Sequence, residues 1–321
     1  FVYDAISDTV SLASHIPGIP TTTANFASSL YYGDPSAPSI SADGKFVAFI
    51  SQATNLVSGS DNNGTYHDVF LYDVTTGTVK LVSHLPGAPT TSAYGASYQP
   101  TISQDGKLVA FVSSDSNGLV PGTEANGGDD IFLYDAVADT VRLVSHAAGS
   151  ALTGDSYSRA PSISADGKFI AFQSYATNLV TGNDNNGTTY DAFLYDVQAN
   201  TITLVSHVPS ELTTSGNGFS DSPAISADGN FIAFRSAAFN LTVDTDNSNY
   251  DIFLYARDAG TVTRVSSGLG ASSNHHSYAP HISADGRFVA FEGYASNLIP
   301  GKDTNINYDV ILGDTTTDTL T

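Results

Sequence analysis

One phrase recurs five times along this chain and restricts its possible folds more than any other feature. I-S-[AQ]-D-G-[KNR] begins at Ile40, Ile102, Ile163, Ile225 and Ile282, at separations of 62, 61, 62 and 57 residues. A second phrase follows each copy: DVFLYD from Asp68, DIFLYD from Asp130, DAFLYD from Asp191, DIFLYA from Asp251 and a weaker DVILGD from Asp309. A third, TVKLVSH from Thr78, returns as TVRLVSH from Thr140, TITLVSH from Thr201 and TVTRVSS from Thr261. Self-similarity at such a period is the signature of a repeat architecture, in which each unit completes its core against its neighbours.

Each unit reads as four short strands, a to d. In the first copy they are Pro38 to Ser41, Phe46 to Ile50, Val69 to Tyr72 and Val79 to Ser83. Strand b is an almost unbroken apolar run, the pattern of a strand covered on both faces. Strand d is interrupted by Lys80, Arg142, Thr203 or Thr263, as a partly solvated outer strand should be. The a-to-b link, Ala42-Asp43-Gly44-Lys45, has hairpin chemistry: Gly takes positive φ and Asp bonds the local backbone. Asp43, Asp105, Asp166, Asp228 and Asp285 are therefore read as hairpin residues rather than as a ring of catalytic carboxylates. Antiparallel four-stranded units with two apolar faces need a neighbour on each side, and radial stacking supplies one. The expected fold is all-β, a β-propeller of four-stranded antiparallel blades.

The P-x-I-S-x-D-G-[KR]-x-[VI]-A-F phrase followed by D-[VI]-F-L-Y-D resembles the TolB-like propeller repeat of bacteria, itself related to WD-type repeats. It is most similar to the secreted variety with an Asp/Asn-rich loop before the D-x-F-L-Y-D strand. That resemblance covers essentially the whole chain and implies a fold more than a function, because propellers host many unrelated roles.

The domain is read as one propeller over residues 1–321, with full blades beginning near 38, 100, 161, 223 and 280. Phe1 to Asp4 matches Phe70 to Asp73, and Thr9 to His15 matches strand d, so residues 1–15 form half a blade. The last copy stops inside strand d, at Thr319 to Thr321. A six-bladed ring is favoured; a five-bladed ring with a spare hairpin, or a hairpin donated to a neighbour, are the alternatives. The start at Phe1, without a signal peptide, fits a processed chain or a fragment.

Eleven Lys plus Arg stand against 32 Asp plus Glu, a formal charge of −21. Such a surface repels nucleic acid and anionic lipid and attracts divalent cations. The absence of Cys removes disulfides and thiol chemistry without excluding an extracellular setting. No run approaches the roughly 18 apolar residues of a membrane helix. Asn63-Gly64-Thr65, Asn186-Gly187-Thr188 and Asn240-Leu241-Thr242 fit the short N-glycosylation pattern, which recurs often by chance.

In a meander, the long b-to-c and d-to-a connections share one end of the blades, and that end is expected to carry function. The b-to-c loops place Asp61, Asn63 and Asp68; Glu124, Asn126 and Asp130; Asp184, Asn186 and Asp191; Asp244, Asp246 and Asp251; and Asp303, Asn305 and Asp309. Carboxylates and amide carbonyls on a tight Gly-containing loop suit the oxygen shell of Ca²⁺. They resemble the calcium loops of integrin-type propellers, although the spacing differs and no EF-hand signature is present. Loops one, three and five are the better candidates; the other reading is that Asp, Asn and Gly simply make solvated turns.

The d-to-a connections offer Tyr32, Tyr94, Tyr98, Tyr157, Phe219 and Tyr278 as rings for stacking on sugars or anchoring a protein, or else as caps over the inter-blade grooves. His15, His84, His146 and His207 recur at the end of strand d and read as structural. No G-x-S-x-G, H-E-x-x-H or Cys nucleophile appears, so no enzyme is expected. The function read from the sequence is a calcium-stabilised extracellular or cell-surface module binding protein or glycan. Alternatives are a subunit of an extracellular fibre, surface layer or adhesin, and a periplasmic TolB-like partner protein.

Overall fold

The computed structural model describes residues 1–28, 37–243, 249–268, 271–299 and 307–321. The opening hairpin pairs Val2–Asp4 with Thr9–Ser11. Five four-stranded antiparallel sheets follow, each in sequential order a-b-c-d. Blade 1 consists of Ser39–Ile40, Phe46–Ser51, Asp68–Asp73 and Thr78–Leu81. Blade 2 consists of Ser97–Ile102, Leu108–Ser113, Asp130–Asp135 and Thr140–Leu143. Blade 3 consists of Ser158–Ile163, Phe169–Ser174, Asp191–Asp196 and Thr201–Leu204. Blade 4 consists of Ser220–Ile225, Phe231–Ser236, Asp251–Ala256 and Thr261–Arg264. Blade 5 consists of Ser277–Ile282, Phe288–Gly293, Asp309–Asp314 and Thr319–Leu320. This is the blade arrangement of a β-propeller, five full copies and the c–d half of another.

Packing divides the chain into two compact units, 1–153 and 154–321. In the first, blade 1 is buried on both faces. Phe49, Phe70 and Tyr72 join a cluster with Ala13 of the segment before it, while Ile50, Val69 and Leu71 join Phe111, Phe132 and Tyr134 of blade 2. In the second, Leu194 and Val205 of blade 3 meet Phe234 and Tyr255 of blade 4. Ile252 and Leu254 of blade 4 then meet Val289, Phe291 and Ile311 of blade 5. Alternation along b and c thus sends successive side chains to opposite neighbours, which is why those strands read as continuous apolar runs.

The Asp-Gly turns have a second use beyond positive φ. Gly106, Gly229 and Gly286 lie against Phe46, Phe169 and Phe231 of the preceding blades, so close that a Cβ would fall 2.1–2.3 Å from a ring carbon. Any larger residue there would strain its own backbone and push the neighbouring blade away.

Two features depart from the sequence reading. Strand a begins three residues before its proline in blades 2 to 5 and bulges there: Gln99, Ala160, Ser222 and Ala279 have φ of 50, 53, 53 and 48°, each just before Pro. The d-to-a connections are also structured. They hold small hairpins at His15–Ile16 with Ile19–Thr23, His84–Leu85 with Ala88–Ser92, His207–Val208 with Glu211–Ser215, and Ser267–Gly268 with Ala271–Ser272.

Candidate functional site

Most recurring polar residues hold blades together. Ser83 accepts the N–H of Val69 at 3.1 Å and donates to Asp68 at 2.8 Å. Ser145 and Ser206 do the same for Ile131 with Asp130 and for Ala192 with Asp191; Ser266 bonds Ile252 and Asp251. The first Asp of the D-x-F-L-Y-D phrase is therefore a buried tether between strands c and d. Burial pushes the Asp68 and Asp191 carboxyls up to about 7, against the opposing effect of these hydrogen bonds. The histidines are structural in the same sense. His15, His84 and His207 each bond the next residue's carbonyl through Nδ1 and stand edge-on to Tyr72, Tyr134 and Tyr255 of the following blade.

The Asp/Asn loops of blades 1 and 3 are alike. Asp61 Oδ1 accepts the N–H groups of Asn63 at 3.0 Å and Gly64 at 2.9 Å; Asp184 accepts those of Asn186 and Gly187 at the same distances. The Asn63 amide donates to Asp68 at 3.1 Å, and Asn186 donates to Asp191 at 3.2 Å. Asn62 and Asn185 fasten each loop to Ser92 and Ser215 of the next hairpin. Gly59 and Gly182 permit this docking, since a Cβ would lie 1.7 and 1.8 Å from the carbonyl oxygens of Thr90 and Thr213.

Beside each carboxylate pair is a small cavity, about 10 Å³ at Asp61 and Asp68 and about 20 Å³ at Asp184 and Asp191. That is room for one water or ion. The Oδ1 atoms of Asn63 and Asn186 are buried with no hydrogen-bond partner. In blade 2, Glu124 bonds the N–H groups of Asn126 and Gly127 in place of Asp, and Asp130 is fully buried. Asp251 is fully buried as well, and Asp309 is half-buried at the start of its strand. Asp244, Asp246, Asp303, Asn305 and Tyr32 lie outside the described residues. Among the described residues no group of three His, Cys, Asp or Glu side chains gathers as a metal site.

The strongest departure from the repeat lies at the long-loop end of blades 3 to 5. Strand b repeats as [FL]-[VI]-A-F, but its fifth residue changes from Ile50 and Val112 to Gln173, Arg235 and Glu292. Across the sheet these face Arg159, Asp221 and Tyr278. Arg235 Nε donates to Asp221 Oδ1 at 2.8 Å, and a second contact joins Nη2 to Oδ2. Three rings surround the guanidinium: Phe219 at 5.3 Å, Tyr250 at 5.4 Å and Tyr278 at 5.2 Å. The aromatic seam continues through His276, 4.1 Å from Tyr250, and through Tyr308 to Tyr294.

His276 accepts the Tyr250 N–H on Nδ1 at 2.9 Å, and burial, with His275 and Arg235 nearby, holds its pKa below the ordinary value. In blade 3, Tyr175 stacks on Tyr190 at 3.7 Å, and Gln173 accepts the N–H of Ser222 at 2.8 Å.

Of the rings singled out from sequence, Phe219 and Tyr278 thus belong to this seam. Tyr157 is 46% exposed beside Arg159. Tyr94 is exposed on a loop tied to Asp115, whereas Tyr98 packs against the core between blades 1 and 2. Arg235, Asp221, Tyr250, Tyr294 and Tyr308 escaped the sequence reading, although the broken fifth position of strand b announces them.

No family model matches the chain, and no curated protein sequence does. Solved structures show the likeness. The β-propeller domain of the Trilobed protease from Pyrococcus furiosus superposes with a TM-score of 0.51 at 14% identity, covering 92% of this chain and 70% of that one. Oligogalacturonate lyase from Vibrio parahaemolyticus gives 0.50 at 11% identity, covering 92% and 71%. TolB from Acinetobacter baumannii gives 0.45 at 19% identity, covering 88% of this chain and 52% of that TolB, so the chain spans about half its length. At these identities the likeness defines the class by its fold, a β-propeller.

Proposed function

We propose that this chain is a non-catalytic binding propeller whose seam around Arg235 takes a glycan. The observation that carries it is the change from apolar to polar at one repeated position in blades 3 to 5, accompanied by exposed rings. In a repeat protein, conserved spacing builds the scaffold, and a position that breaks the pattern is free to serve a ligand. Flat faces such as Tyr308, 57% exposed, and Tyr157 suit the apolar faces of sugar rings. Gln173, Glu292 and Arg159 offer donors and acceptors for hydroxyl groups.

The non-catalytic reading is supported by how the polar groups are engaged. The recurring acids tether strands, and Arg235 is held by Asp221. Calcium enters this reading as a stabiliser of the blade 1 and blade 3 loops, supported by ion-sized cavities beside two carboxylates and a buried amide oxygen without a partner. An extracellular or cell-surface setting agrees with the −21 charge and the lack of Cys. The TolB-like resemblance implies the periplasm instead. Among the described residues no helix is long and apolar enough to cross a membrane.

The test is a glycan array followed by calorimetry on the hits. Tyr308→Ala and Tyr157→Ala are expected to weaken binding at least tenfold while leaving the melting temperature within a few degrees. No glycan bound by the wild-type chain, with a protein partner captured or ordered polymers formed instead, would replace this reading by protein recognition or assembly.

A further inference from the structure

Every copy of strand c but one carries the Tyr of D-x-F-L-Y-D, and five residues after that position the c-to-d turn enters the left-handed region. The residues there are Asp8, Gly77, Asp139, Asn200, Gly260 and Asp318, with φ of 53, 67, 54, 54, 61 and 53°. Glycine meets that backbone demand without strain. Where Asp or Asn stands instead, its side chain takes a tyrosine hydroxyl: Tyr3 donates to Asp8 at 3.0 Å, Tyr134 to Asp139 at 2.7 Å and Tyr195 to Asn200 at 2.7 Å. Asp318 breaks this pairing. Its blade has Gly313 in place of the tyrosine, yet keeps the carboxylate that receives the hydroxyl. The register that sets the two positions is unchanged. Gly313 faces Leu320 and Asp314 faces Thr319, as Tyr134 faces Val141 and Asp135 faces Thr140.

The space of the ring is open as well. A pocket of about 500 Å³ lies between blades 4 and 5, within the 154–321 unit, and both Gly313 and Asp318 line it. It is the size of a small-molecule site. Leu254 and Val265 form part of its apolar wall; their counterparts Leu71 and Val82 pack in one cluster with Tyr134. Ser267 widens it, standing where His15, His84 and His207 border the next blade's tyrosine at 5.7–5.8 Å. The charges along the wall favour a neutral donor over an anion. Arg287 already clamps Asp314, with Nη2 to Oδ2 at 2.7 Å, and Arg264 has interactions of its own. An anionic ligand would face the carboxylates of Asp314 and Asp318, whereas a phenol brings the O–H that Asp318 can accept.

We infer that this junction is a binding site for a small para-substituted phenol. The ligand's ring takes the place of the missing tyrosine ring, and its hydroxyl donates to Asp318. The site shares no residue with the seam around Arg235 and does not depend on the glycan reading.

The probe is p-cresol, the tyrosine side chain without its backbone, titrated calorimetrically into the whole chain at neutral pH, where the phenol keeps its proton. Saturable binding is expected. Its methyl ether, the same ring with the hydroxyl capped, should bind at least tenfold more weakly, since a hydrogen bond to a charged group is lost. Asp318→Gly installs the residue that Gly77 and Gly260 supply in blades 1 and 4. It is therefore expected to fold at least as well as the parent and to lose at least tenfold in affinity. Asp318→Asn keeps an acceptor, as Asn200 does for Tyr195, and should bind p-cresol more tightly than Asp318→Gly. No saturable binding at millimolar p-cresol, equal affinity for the methyl ether, or binding unchanged by Asp318→Gly would overturn the assignment.

Discussion

His84 stands edge-on to Tyr134, ring centroids 5.8 Å apart and planes at 90°, and so joins the end of blade 1 to the centre of blade 2. Tyr134 is fully buried and donates its hydroxyl to Asp139 at 2.7 Å. Tyr134→Ala is expected to cost about 3–5 kcal/mol, the range for deleting a large buried ring. A double-mutant cycle with His84→Ala should return a coupling of about 0.5–1.5 kcal/mol. Denaturant titration of the three variants measures both, and strictly additive losses would show that the two rings do not act together.

Burial of the Asp68 and Asp191 carboxyls makes stability depend on pH. Asp68 and Asp191 titrate near 7 when folded and near 3.8 when unfolded, so the folded state holds extra protons between those values. Their contribution is fully present below pH 3.8 and is lost as pH rises through 7. In calcium-free buffer the melting temperature should therefore fall from pH 5 to pH 8, and Asp68→Asn with Asp191→Asn should flatten that slope. A wild-type slope of the opposite sign would contradict the burial assigned to these groups.

Asp221→Asn removes one partner of a mostly buried ion pair and leaves the Arg235 guanidinium without its counter-charge. The expected loss is about 3–5 kcal/mol. Arg235→Met combined with Asp221→Asn should recover part of it, since no buried charge then remains. Thermal unfolding of the two variants decides this; equal stability of single and double variants would mean that the pair is solvated.

Calcium is expected to raise the melting temperature, because a ligand that binds only the folded chain stabilises it by about 2.7 kcal/mol at a hundred times its dissociation constant. Asp61→Asn with Asp184→Asn should abolish the shift. Scanning calorimetry in millimolar calcium and in chelator provides the comparison, and identical traces would assign the loop carboxylates to hydrogen bonding alone.

The blade pattern was legible because every turn and strand of the unit is written in local chemistry: Asp43-Gly44 for the hairpin, Phe46 to Phe49 for the doubly covered strand. The hairpins after strand d were not, since pieces such as His84–Leu85 are too short to show a period. The bulge was missed because Pro100 and its equivalents read as a strand start, when the chain in fact runs through them. The Asp/Asn loops drew attention by composition, yet much of that composition serves to dock one loop on the next hairpin, as Asn62 does on Ser92. Arg235 and Asp221 lie 14 residues apart, Arg235 in a strand whose first four positions are nearly uniform among the copies, so only alignment of the copies with one another reveals the pair.

The prolines of the bulged first strands bear on solubility. In blades 2 to 5 that strand is an edge of its sheet. Pro100, Pro161, Pro223 and Pro280 each remove an amide hydrogen from it, directly after a residue in the left-handed region. An extended segment from another chain would find neither a continuous row of donors nor a flat backbone to zip against. These four blades thus carry their own guard against amyloid-like strand addition, and replacing those prolines would open a route to aggregation.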